Sequence, residues 1–340
     1  MTRLDEKLAR IRAGQYRRQD FIIADAKDPD MGPSLTSSGP KRAADGTWER
    51  YRSREEFLDQ IRAIVRQDIV DIMLLSASNL ERLSDEGLFS GSQVKPAIRA
   101  NDTSDIWRMR GARYHERPSR PFRSALISRT MYGELNGGPG DRVTGTDLGL
   151  YSITFNHDID ADLATLHAFR DFRVDCAQYG FKYFLEVFNP NVATGIEPEV
   201  LPHFINDCIL RCLAGVHQAD RPQFLKIVYN GPKSLEELTT FDPTLIVGVL
   251  GGGAGTSRDC FELLHQGEKY GARVALFGRK INLAESPLAM ITMMRAVADG
   301  DLSPAEAVRA YHGELERAGL RPLRAMAEDI EITEPVLRGT

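Results

Sequence analysis

The sequence predicts a single (β/α)8 (TIM) barrel domain over residues 1–340, and three observations carry that expectation. Strand-like and helix-like segments alternate from end to end, as parallel βαβ units do. Eight segments qualify as strands, most of them nearly unbroken apolar runs, the pattern of strands covered on both faces. The 340 residues, 42% apolar and 27% charged, supply ample material for one large core. A doubly wound open sheet is the alternative, but it favours fewer strands and a phosphate-binding loop after the first.

In chain order the strand candidates are Phe21–Asp25, Val70–Leu75, Ser124–Thr130, Leu148–Phe155, Tyr183–Phe188, Phe224–Val228, Leu245–Leu250 and Arg273–Phe277. Helical patterns fill most gaps. Ser53–Glu56, Ser78–Glu81, Ser234–Glu237 and Ser303–Glu306 have capping-box spacing, in which each side chain satisfies a free backbone N–H of the partner. Pro304 suits the first helical position. Two stretches depart from the repeat: a Pro/Gly/Ser-rich loop at 28–52 and an insertion at 89–123, before the expected third strand. From Lys95 to Arg123 that insertion carries eight basic residues, Arg99 and Arg108 among them, against three acidic ones. It is expected to be a solvated or subunit-contacting excursion, with a basic lid over an anionic substrate as the sharper alternative.

A net charge of −5 with a pI near 5.9 gives no overall attraction to nucleic acid or an anionic membrane. The N-terminus lacks the apolar core of a signal peptide. No run approaches the ~20 apolar residues of a membrane helix. Four scattered cysteines make no disulfide framework, and Cys208 and Cys212 are expected to be small core residues of one helix. A cytoplasmic homo-oligomer acting on a small molecule is the expectation.

In such a barrel the chemistry lies at the C-terminal ends of the strands, so ionisable residues inside apolar runs there carry the weight. Lys226 lies in Phe224-Leu-Lys-Ile-Val228, on the same face as Phe224 and Val228, with Leu225 and Ile227 turned toward the helices. Desolvation favours the neutral amine, which attacks carbonyls. The bland alternative is a buried lysine neutralised by a carboxylate. Glu186 holds the matching position in the preceding strand, within proton-transfer reach as a general acid and base or as a counter-ion. Asp25 ends the first strand, placed to take a substrate hydroxyl proton or merely to cap a turn. Leu250-Gly-Gly-Gly-Ala-Gly-Thr-Ser-Arg-Asp259 follows the seventh strand and Gly278-Arg279-Lys280 the eighth, the two loops that often bind phosphate in barrels. Glycine is equally the plain choice for a tight turn. No His-x-His or His-Glu-x-x-His spacing supports a metal, and His157, after the fourth strand, is expected to be a hydrogen-bonding loop residue. No cofactor is expected.

Together these motifs resemble the class I, Schiff-base aldolase superfamily of deoxyribose-phosphate, tagatose-bisphosphate and archaeal-type fructose-bisphosphate aldolases, most clearly from Tyr183 to Asn282. The resemblance implies a metal-independent lyase in carbohydrate metabolism, making or breaking a carbon–carbon bond of a phosphorylated ketose or related keto compound. By it, Lys226 is the Schiff-base lysine, Glu186 the proton-transfer glutamate and Asp25 the first-strand aspartate that assists cleavage. Lys27, Gly252, Gly253, Gly278 and Arg279 fall where substrate and its phosphate bind. Two features depart from the pattern: Phe188 stands where the archaeal type has a tyrosine, and the first strand reads Asp25-Ala26-Lys27. A sugar-phosphate-binding barrel without catalysis would keep the glycine loops but has no need of paired Lys226 and Glu186. A metal-dependent lyase or isomerase on the same fold would need ligands that the spacing does not provide.

Overall fold

A computed structural model describes residues 2–43, 46–251 and 255–338. Eight parallel strands close on themselves: β1 (Ile22–Lys27), β2 (Ile72–Leu75), β3 (Lys95–Arg99), β4 (Leu148–Thr154), β5 (Lys182–Phe188), β6 (Leu225–Ile227), β7 (Val247–Leu250) and β8 (Val274–Phe277). Each pairs with its neighbours in sequence, and β1 closes the ring against β8 and β2. The fold is a (β/α)8 barrel, as expected.

Strand alternation divides the apolar residues into two cores. Ile22, Ala24, Ile72, Leu74, Ala97, Leu150, Phe184, Phe224, Val274 and Leu276 fill the interior, and Leu4 and Leu8 of the helix Arg3–Arg12 join them. Ile23, Met73, Leu75, Ile153, Leu185, Ile227, Val249 and Phe277 face the surrounding helices instead. The two layers are what unbroken apolar strands require: both faces are covered.

Seven strands agree with expectation to within two residues at each end, β1 running two residues further than Asp25. The third strand does not agree. It is Lys95-Pro-Ala-Ile-Arg99, inside the stretch expected to be an insertion, whereas Ser124–Thr130 lies in and before the helix Ile127–Tyr132. Two charges and a proline hide β3 from any search for apolar runs. Ile127, Thr130 and Met131 are buried at helical spacing while Leu126 and Arg129 are exposed, which a half-buried strand would not give. The long excursion therefore follows β3, from residue 100 to 147, rather than preceding it.

The boxes at Ser53–Glu56 and Ser303–Glu306 form as expected. Those at Ser78 and Ser234 do not, because the helices begin earlier, at Ala77 and Pro232. Thr2–Asp5 and Thr256–Asp259 make boxes with aspartate in the third position. The loop at 28–52 holds two 3-10 turns and a ribbon of Pro40–Arg42 with Trp48–Tyr51. No described helix is long and apolar enough to cross a membrane.

Candidate active site

Lys226 and Glu186 are direct partners in the β5–β6 register, and both follow interior residues by alternation, Phe224 and Phe184. Lys226 Nζ lies 2.5 Å from Glu186 Oε1, with 6% and 1% of each residue exposed. On the other side of the lysine, β7 presents Gly248. A Cβ there would come 2.8 Å from Val274 Cβ, so only glycine fits, and no side chain crowds the amine from that strand.

The pair belongs to a larger buried network. Arg99, the last residue of β3, donates from Nε to Asp28 Oδ2 (2.5 Å) and from Nη1 to Ser152 Oγ (2.8 Å). Its Nη2 lies 3.4 Å from Glu186 Oε2, which also accepts the Ser152 hydroxyl at 2.6 Å. Asn101 fixes Ser152 by accepting from its N–H (2.6 Å) and donating to its carbonyl (2.8 Å). Burial works against the Arg99 charge, but Asp28 and Glu186 outweigh it and hold the guanidinium firmly protonated. Asp102 stands close by with Oδ1 lacking any hydrogen bond among the described residues. Burial raises its carboxyl to about 6 against the pull of Arg99, with Asp28 adding to the rise. Burial likewise raises Asp30.

Asp25 and Lys27, expected at the site, are not part of this cluster. Ile22, Ala24 and Ala26 are the interior residues of β1, so Asp25 and Lys27 fall with Ile23 on the helix-facing side. The register agrees, since Asp25 pairs with Met73 and Phe277, both of the outer core. Both residues are fully buried. Lys27 Nζ and Asp25 Oδ2 are 3.2 Å apart without hydrogen-bond geometry, and neither side chain has a hydrogen bond among the described residues. Burial raises Asp25 to about 6 despite Lys27, and burial lowers Lys27 despite Asp25. The first-strand carboxylate that does reach the interior network is Asp28, one residue beyond β1.

At the expected phosphate loops, Gly252 and Gly253 lie outside the described residues. Gly278 packs against β1, where a Cβ would meet Ala26 O at 3.0 Å, and Arg279 is an exposed residue opening the short helix Arg279–Asn282. The excursion after β3 is tied to the rim of the barrel. Asn191, beyond β5, accepts from Ser119 N–H and donates to the carbonyls of His115 and Arg117. Several of its arginines are engaged locally, Arg113 with Glu116 at 2.6 Å and Arg123 with Asp175 at 2.6 Å. His157 has φ 57° and its Nδ1 lies 3.0 Å from Thr194 O, a loop contact of the expected kind. Among the described residues no three His, Cys, Asp or Glu side chains converge to hold a metal ion.

Sequence reasoning missed Arg99, Asp28, Ser152, Asn101 and Asp102. The one available signal was Ala-Ile-Arg99 before Asn101 and Asp102, a strand-end pattern that Lys95 and Pro96 obscure.

No protein-family profile matches the sequence, and no curated protein matches it. Solved structures do match the fold. An archaeal fructose 1,6-bisphosphate aldolase superposes with a TM-score of 0.59 at 14% identity, covering 87% of this chain and 99% of its own. The same enzyme type with its catalytic lysine bound to the carbinolamine intermediate gives 0.59 at 15%, covering 87% and 100%. The protein Cgl0159 from Corynebacterium glutamicum gives 0.59 at 16%, covering 88% and 98%. At these identities the likeness is one of fold: the chain has the barrel architecture of the Schiff-base aldolases.

Proposed function

We propose that this barrel is an aldolase-type lyase that makes or breaks a carbon–carbon bond of a keto compound through a Schiff base on Lys226. The observation that carries the reading is the contact between Lys226 and Glu186, an amine and a carboxylate side by side inside the barrel with a glycine on the amine's open flank. In the proposed cycle the amine attacks the substrate carbonyl carbon, and Glu186 takes the proton that the nitrogen releases and passes it to the carbinolamine hydroxyl, which leaves as water. The resulting iminium accepts the electron pair of the bond that breaks. The proton released by the substrate hydroxyl passes to Asp28, the interior carboxylate beyond the first strand. The enamine is then protonated and the imine hydrolysed, which returns the amine.

A phosphorylated ketose is the substrate class we infer, with Gly252, Gly253, Gly278 and Arg279 receiving the phosphate. The reading is tested by incubating the protein with ketose phosphates, dihydroxyacetone phosphate and pyruvate in turn, then reducing with borohydride. One of these should add its mass to the chain, and Lys226→Ala should abolish the addition. Turnover of that compound should survive exhaustive chelation. A rate lost on chelation and restored by zinc or magnesium would instead place the protein among metal-dependent lyases.

A further inference from the structure

The interior cluster balances two cations, Lys226 and Arg99, against two carboxylates, Glu186 and Asp28, with exposures of 6%, 6%, 1% and 6%. Attack on a carbonyl requires Lys226 to lose its proton. Among the described residues, Arg99 is then the only cation in contact with either carboxylate. Its three contacts also fix geometry: Nε holds Asp28, while Nη1 and Nη2 meet Ser152 and Glu186 on one side, leaving Glu186 Oε1 turned to the lysine. Ser152 on β4 is neutral, Gly248 on β7 has no side chain, and Asp102 and Asp30 add negative charge.

We propose that Arg99 is a positioning residue of the Schiff-base chemistry, orienting Glu186 and Asp28 and balancing their charge so that Lys226 can act as an amine. The proposal rests on the Schiff-base reading above. Without the guanidinium, two buried carboxylates confront the lysine alone, and the ammonium is favoured. Lysine at this position keeps the charge but cannot span three partners with one ammonium.

The test compares wild type, Arg99→Gln and Arg99→Lys for borohydride trapping at Lys226 from about pH 6 to 10, together with turnover. Arg99→Gln should move the rising limb of trapping upward by a unit or more, a loss of about tenfold at pH 7 that high pH recovers. Arg99→Lys should return the limb toward wild type while leaving turnover depressed about tenfold or more. Trapping in Arg99→Gln that falls equally at every pH, in step with a lowered melting temperature, would overturn the proposal and leave Arg99 a structural residue. Arg99→Lys, which retains the buried charge, carries the test alone if Arg99→Gln does not fold, and wild-type turnover in it would overturn the positioning role. A wild-type protein that gives no adduct at Lys226 would remove the Schiff-base reading itself, and the role of Arg99 with it.

Discussion

Two buried lysine–carboxylate pairs of the barrel strands, one on each face of the sheet, differ in setting and in partners. Lys226 and Glu186 face the interior, 2.5 Å apart, and Glu186 is held by Ser152 and Arg99. Lys27 and Asp25 face the helices behind β1, 3.2 Å apart, with no hydrogen bond to either among the described residues. In the second pair burial raises Asp25 to about 6 against the pull of Lys27, and burial lowers Lys27 against that of Asp25. Burial perturbs any dry ion pair, so perturbation does not by itself mark a catalytic site. The strand face, and the network that orients the pair, distinguish the two.

The largest contrast should appear in turnover. Glu186→Gln should cut it by ~10²–10⁴-fold, the usual cost of a lost general acid or base. Measured from about pH 6 to 9, so that a moved optimum is not mistaken for a loss, near wild-type rates would leave Glu186 only a counter-ion. Stability comes next, and there the outer pair should dominate. Lys27→Met leaves Asp25 buried without its cation and should cost about 3–5 kcal/mol by denaturant unfolding, whereas Asp25→Asn/Lys27→Met should recover most of that. Adduct formation on Lys226 should persist in the double variant.

The outer pair also predicts a pH effect of definite sign. Asp25 binds its proton more tightly folded (about 6) than unfolded (3.8), so its contribution favours the fold at low pH and is lost as pH rises through about 6. The double variant lacks this group. Its stability relative to wild type should therefore improve, on the order of 2–3 kcal/mol, between about pH 4 and 6.5. A constant difference across that range would remove Asp25 as the cause. The smallest effect concerns Arg279. Arg279→Ala should raise KM for a phosphorylated substrate about tenfold with kcat little changed, because a remote anion contact contributes uniform binding. A silent variant would make the loop after β8 an ordinary turn.

The second half of the barrel was legible because each strand there is an apolar run, and β5 and β6 each hold one charged residue inside that run. Alternation puts Lys226 on the face of Phe224, and the structure puts Glu186 on the face of Phe184. In β1 the same logic had no anchor. Phe-Ile-Ile-Ala is apolar at every position, and only packing assigns Ile22 and Ala24 inward and Ile23 outward, which sends Asp25 behind the sheet. The third strand was hidden by the feature that makes it matter. Arg99 sits in a strand with Lys95 and Pro96, and the cost of its charge is offset chiefly by Asp28, just beyond β1, and Glu186 on β5, both far away in sequence. Charge compensation between distant strands is a tertiary fact that a local pattern cannot reveal.

The central claim is that chemistry belongs to the interior pair, and peptide mapping of the reduced adduct tests it most directly. After borohydride reduction with the keto compound that is turned over, proteolysis should place the added mass on the peptide containing Lys226 and leave the peptide containing Lys27 unmodified. Mass on Lys27, Lys233 or Lys280 with Lys226 unlabelled would contradict the account.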